Sequence, residues 1–214
     1  MISSVDITNT KVDLTLVSTV LVVSAIVSNQ LVQSKLFDEA WMNGAVATLL
    51  GFALHGLITN KLTVMTNKEL GIKDLALATS VGDFFKFGTV FVCQRAIGNY
   101  IEGKPIVFDQ NWAMSSGLVI AGYSAFNFIE KMVPRVEKDY QPLLNDLIKV
   151  SMGALAANYF MDGTINKGHL MSLAATLSGF SAFHLVTKRF VVPKNEKFSE
   201  IGGYSVLPAN YKCD

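Results

Sequence analysis

The residues best placed to do chemistry stand in the stretch SVGDFFKFGTVF, where Asp83 and Lys86 lie three apart in an otherwise apolar run. On a helix this spacing puts both on one face. An unpaired ion among apolar side chains is expensive, so the two are expected to pair with each other or with a neighbouring helix. A carboxylate and an ammonium at that depth could relay a proton or line an ion path. The plainer alternative is a structural ion pair facing the interior or a subunit contact. It is preferred because a relay should offer more than one such pair, and no other is expected at this depth. Asp146 and Lys149 repeat the spacing close to a helix end, where the lysine is expected to snorkel to water.

Three histidines, His55, His169 and His184, are the other candidates. His55 and His184 fall one position apart when the repeats described below are aligned, so metal or haem ligation between helices is conceivable. A polar contact between helices is the simpler role for each. Cys93 lies within an apolar helix and Cys213 next to the end, and both are expected as free thiols. No phosphate-binding loop, dinucleotide fingerprint, HExxH, paired CxxC or nucleophile elbow occurs. The expectation is a protein that is not an enzyme, with no catalytic residue, no metal and no cofactor.

The elements that must position these residues come from a repeat. WMNGAVATLLGFALHGLITN (41–60), WAMSSGLVIAGYSAFNFIEK (112–131) and HLMSLAATLSGFSAFHLVTK (169–188) align without a gap. Ten residues after each opening ring stands a glycine, Gly51, Gly122 or Gly179, followed by Phe52, Tyr123 or Phe180. Three residues before each ring stands a residue suited to cap a helix: Asp38, Asp109 and Asn166. A weaker repeat precedes each copy at Asp13-Leu14, Asp74-Leu75 and Asp146-Leu147. The pattern predicts three tandem helical hairpins, at about 13–61, 74–131 and 146–189, followed by a tail over 190–214. The glycines are expected to mark equivalent close helix crossings about a pseudo-threefold axis.

Half of the 214 residues are hydrophobic and only 16 % are charged, with a mean hydropathy of +0.37. Apolar segments at 14–34, 41–60, 72–94, 112–130, 143–161 and 169–188 are each about 20 residues long, the length a helix needs to cross a bilayer. The fold expected is therefore an all-α integral membrane bundle of six spans in a single domain; the alternative is a soluble bundle of buried helices. Small residues such as those of Met152-Gly153-Ala154-Leu155-Ala156-Ala157 suit helix packing in lipid. Alternating the six spans places twelve basic residues on the side of both termini and four on the other, with Lys86 and Lys149 inside spans. By the positive-inside rule, both termini face the cytoplasm or an equivalent interior. The first helix lacks a basic leader and a small-residue cleavage site and is read as retained. A net charge of +1 gives no footing for nucleic-acid binding.

Trp41 and Trp112 are expected in an interfacial belt on the far side. The far-side loop from Gly98 to Gln110 carries Tyr100, Ile106, Val107 and Phe108, and the tail carries Phe198, Ile201, Tyr204, Val206, Leu207 and Tyr211. Both are expected to meet other protein subunits, and the spans to meet the lipid bilayer. The second helix is expected to leave through Lys61, with the segment TNKLTVMTNKELGIKD (59–74) a polar connection.

Three two-helix repeats resemble mitochondrial solute carriers in outline. That family carries a Pro-x-Asp/Glu-x-x-Lys/Arg signature at the end of each odd helix; the nearest string here, Pro134-Arg135-Val136-Glu137-Lys138, follows an even helix with the acid misplaced, and the family is set aside. In size, lack of enzymatic motifs and the texture of MISSVDITNTKVD and MTNKELGIKD, the chain resembles multi-span membrane and minor capsid proteins of large icosahedral DNA viruses with an internal membrane. The resemblance implies a structural or assembly protein of the virion linking membrane to shell. A small ion channel or solute transporter, or an accessory subunit of a respiratory or photosynthetic complex, is the alternative.

Overall fold

The computed structural model describes residues 4–190, with the side chains of 7–186. Among these residues the regular structure is all helical. Helix α1 spans Ser4–Val32; α2 (Glu39–Leu54) passes through a π-helical segment (His55–Thr59) into α3 (Asn60–Glu69). Then follow α4 (Leu75–Ile101), α5 (Gln110–Ile129), α6 (Gln141–Asp162) and α7 (Lys167–Phe190).

Side-chain caps set three of the helix starts in one manner. Asp38 Oδ1 accepts from the Trp41 amide at 2.8 Å, Asp109 Oδ1 from the Trp112 amide at 2.8 Å and Asn166 Oδ1 from the His169 amide at 3.0 Å, each satisfying an amide of the first turn. Pro142 sits in the first turn of α6, where its missing N–H removes no helical bond. Gly163 ends α6 at φ 70°, a conformation that costs glycine little.

Two expectations about boundaries are corrected. Residues 61–69 are helix rather than connection, because α3 turns Thr63 and Asn67 inward and Asn67 Nδ2 donates to Ala78 O of α4 at 3.2 Å. Asp74 is the cap of α4, accepting from the Leu77 amide at 2.8 Å, whereas Asp13 and Asp146 lie inside α1 and α6. The three Asp-Leu pairs thus do not occupy equivalent positions.

Among the described residues four helical stretches are long and apolar enough to cross a membrane: Ile7–Val32, Glu39–Glu69, Leu75–Ile101 and Lys167–Val186. Helices α5 and α6 do not meet the same measure, against the six spans expected. Their polar content explains the shortfall: α5 carries Ser115, Ser116 and Asn127, and α6 carries Asn145, Asp146, Lys149 and Asn158. Asp146 and Lys149 are buried, so in α6 the hydropathy is lost mainly on the inward face. Outward, Val22, Ile26, Val46, Leu50, Val92, Leu170 and Leu185 are exposed along the helix walls, as lipid-facing residues are.

Helix packing runs from α1 to α2, to α4, to α5, to α6, to α7 and back to α1. Each of α2, α5 and α7 lies between two of α1, α4 and α6. A small core of Val17, Phe52 and Val90, with Leu14, Leu21, Leu49 and Phe87 against it, ties α1, α2 and α4 together.

Candidate functional site

Asp83 and Lys86 both find partners on neighbouring helices. Lys86 Nζ donates to Asp13 Oδ1 and Oδ2 at 2.9 and 2.8 Å, joining α4 to α1. Lys149 Nζ lies 2.9 and 2.8 Å from the two oxygens of Asp83, joining α6 to α4. Asn127 of α5 completes the Asp83 site, donating to Oδ2 at 2.7 Å while its own oxygen accepts from Lys149 at 3.2 Å. His184 Nε2 of α7 donates to Asp146 Oδ2 of α6 at 2.7 Å. Asp83, Lys86, Asp146 and Lys149 are all buried. Lys149 therefore does not snorkel, and the charged layer contains more than one ion pair. Each bidentate contact satisfies both oxygens of a carboxylate, which is what makes a buried ion pair tolerable.

These contacts follow an order. Asp83-x-x-Lys86 and Asp146-x-x-Lys149 share a spacing, and Asp13-x-x-Leu16 gives the same spacing with the lysine replaced. The lysine of α4 reaches the acid of α1, and the lysine of α6 reaches the acid of α4. Continuing round, residue 16 of α1 would serve the acid of α6, but it is a buried leucine, and His184 takes that place. Asn127 and His184 each stand five residues after their repeat glycine, Gly122 and Gly179, and each donates to the acid of the preceding partner helix. After α2 that position is Gly56 of the π-helical segment, where the Thr10 side chain of α1 fills the space instead.

The glycines crown the layer. A Cβ on Gly51 would stand 2.7 Å from Val90 Cα, on Gly122 2.6 Å from Gly153 Cα, and on Gly179 2.6 Å from Val20 Cα. Val20, Val90 and Gly153 each lie seven residues beyond Asp13, Asp83 and Asp146. Counted from these acids, the distances to the repeat glycines are 38, 39 and 33 residues, against 38, 48 and 33 when Asp74 is used. The signal that locates Asp13, Asp146, Lys149, Asn127 and His184 was thus present as a shared register, obscured by the capping aspartate.

His55 is buried where α2 gives way to the π-helical segment. Its Nδ1 is 3.0 Å from Thr59 Oγ1, which in turn is 2.9 Å from Thr89 Oγ1 of α4. The local widening of the helix carries the backbone past Thr10 at Gly56, a use of π geometry found at tight or functional contacts. His169 is a cap-side residue, 3.0 Å from Asp162. Among the described residues, no group of three or more His, Cys, Asp or Glu side chains is gathered as a metal site.

Beyond the charged layer lies a cavity of about 410 Å³. Asp83, Asp146 and Lys149 line one part of it, and Thr48, Gln94 and Thr176 lie farther along their helices. Gln94 Nε2 donates to Thr48 Oγ1 at 2.8 Å. Every helix that packs in the ring contributes a wall residue. Such a chamber, polar at points and bordered by an ion-pair layer, has room for a small solute.

Trp41 and Trp112 are partly exposed at the starts of α2 and α5, stacked edge to face on Phe37 at 4.8 Å and Phe108 at 4.9 Å. The loop expected over 98–110 begins later, since α4 continues to Ile101. Arg95 fastens it through Val107 O at 2.8 Å and Asp109 Oδ2 at 3.0 Å, leaving Ile106, Val107 and Phe108 exposed, with Tyr100 exposed in the last turn of α4. Cys93 is a buried free thiol. Cys213 and the apolar tail residues Phe198, Ile201, Tyr204, Val206, Leu207 and Tyr211 lie outside the described residues.

No family model, curated protein or solved structure matches the chain.

Proposed function

We propose that the chain is an integral membrane protein of six spans, built from three tandem hairpins about a pseudo-threefold axis, that provides a gated path for a small solute or ion. The observation that carries this reading is the layer Asp13–Lys86, Asp83–Lys149 and Asp146–His184 at one end of a chamber between the helices. Ion pairs between different helices can exchange partners or separate as the helices tilt, and buried ionisable residues in spans commonly mark such pathways. The termini lie on the cytoplasmic or interior face in this reading, because that places the basic loops inside.

The test is flux in liposomes containing the purified chain. Parting the layer with Asp83→Asn and Lys149→Met should change the rate of small-ion or solute passage. Wild-type protein that conducts nothing under either sign of gradient, with the variant equally silent, would sink the reading.

A second reading, an assembly component without transport such as a membrane-associated minor capsid protein of a large virus or an accessory subunit of a membrane complex, draws on the loop after α4. Ile106, Val107 and Phe108 are exposed on a segment held by Arg95, beside the exposed Tyr100 in the last turn of α4, the form a contact surface for another subunit takes. Sedimentation of a gentle detergent extract separates the two: co-migration in a very large particle supports assembly, and migration alone or as a small oligomer removes it.

A further inference from the structure

The charged layer holds three acids and two lysines. Asp13, Asp83 and Asp146 face Lys86 and Lys149, and Leu16 stands where the repeated spacing predicts a third lysine. Of the charged groups that line the chamber, two are carboxylates, Asp83 and Asp146, and one is an ammonium, Lys149. Lys149 is taken up by Asp83, whereas the partner of Asp146 is an imidazole rather than an ammonium, and Asp146 lines the chamber. The wall beyond it is aromatic: Phe87 packs on Tyr123 with ring centroids 4.4 Å apart and on Phe91 at 6.5 Å, and all three line the chamber with Phe180. The chain already uses ring faces for cations, since Lys149 Nζ lies 5.9 Å from the Tyr123 centroid and Lys86 Nζ 5.6 Å from that of Phe52.

We infer that the chamber binds one small organic monocation, an alkylammonium, with its charge toward Asp146 and its alkyl groups against Phe87, Phe91 and Tyr123. A carboxylate in a medium that excludes water attracts a cation far more strongly than at a surface, and aromatic faces replace part of the cation's lost hydration. The chamber's 410 Å³ is many times the roughly 30 Å³ a water occupies in the liquid, so an alkylated headgroup fits where a bare metal ion would find too few oxygens. The inference rests on the pathway reading and names what that path would admit.

Titration calorimetry of the full chain in detergent tests it, with choline as the cation and 3,3-dimethylbutan-1-ol as its neutral isostere. Choline should bind, with the alcohol weaker by about tenfold or more. Asp146→Asn should lower choline affinity by a similar factor, and Phe91→Leu, which leaves the ion pairs intact, should weaken it several-fold. Equal binding of the alcohol, or no binding of choline, overturns the inference. Choline uptake and potassium flux in liposomes keep the two ideas apart. Potassium flux without choline binding leaves the pathway and removes the ligand class; choline binding with no flux of either keeps the site and removes the pathway.

Discussion

Lys149 Nζ and Asp83 Oδ2 are 2.8 Å apart, with side chains 7 % and 1 % exposed, and they join α6 to α4 across the centre of the molecule. Removing either partner leaves a charge with no water to solvate it. Lys149→Met or Asp83→Leu alone should destabilise the protein by about 3–5 kcal/mol, whereas the double substitution should recover much of the loss because no lone ion remains. Thermal unfolding of the three variants in one detergent checks this; a double variant as weak as the sum of the singles would contradict it.

The vacant third lysine position can be filled. Leu16 is buried three residues after Asp13, and the ring order directs that position toward Asp146. His184→Ala should cost about 1–3 kcal/mol by leaving Asp146 without its donor. Adding Leu16→Lys should restore stability in that background. If Leu16→Lys destabilises the wild type and the His184→Ala variant alike, the cyclic order is wrong.

The repeat glycines should tolerate no side chain. At Gly122 a methyl would meet Gly153 Cα and Met152 O, both at 2.6 Å, and backbone cannot step aside as a flexible side chain can. Gly122→Ala, Gly51→Ala and Gly179→Ala should each destabilise by about 1–3 kcal/mol, and Leu at the same positions should prevent folding. Gly44, whose added Cβ meets nothing within 4 Å, is the control and should change stability by less than about 1 kcal/mol on substitution by Ala. Detergent-solubilised yield and melting temperature give the comparison.

Arg95→Ala should free the segment after α4 without unfolding the protein. The arginine's bonds to Val107 O and Asp109 Oδ2 are partly exposed, so the stability change should stay below about 1 kcal/mol. Limited proteolysis should nonetheless cut faster near Lys104, and an unchanged cleavage rate would mean that Arg95 does not restrain the loop.

Much of the helical layout is written locally. The caps Asp38, Asp109 and Asn166 act within three residues of themselves, so their sequence positions suffice to place the starts of α2, α5 and α7. The extension of the second helix through Lys61 to Glu69 was not legible, because a polar stretch reads as a loop until α4 is there to cover Thr63 and Asn67. Asp74 misled for a related reason: a capping aspartate and a buried one look alike in a string of letters.

By itself the sequence determined the all-helical character, the presence of apolar helices long enough to cross a membrane, though six were expected where four stretches meet that measure, and the presence of ionisable residues that would need partners. These follow from composition and from contacts a few residues apart. Only the tertiary structure decided which ion meets which, that Lys149 turns inward to Asp83 rather than out to water, that His184 stands in for a missing lysine, and that a chamber remains between the helices. Partners 73, 66 and 38 residues apart are brought together by helix packing alone, and no local rule of spacing or propensity contains that information.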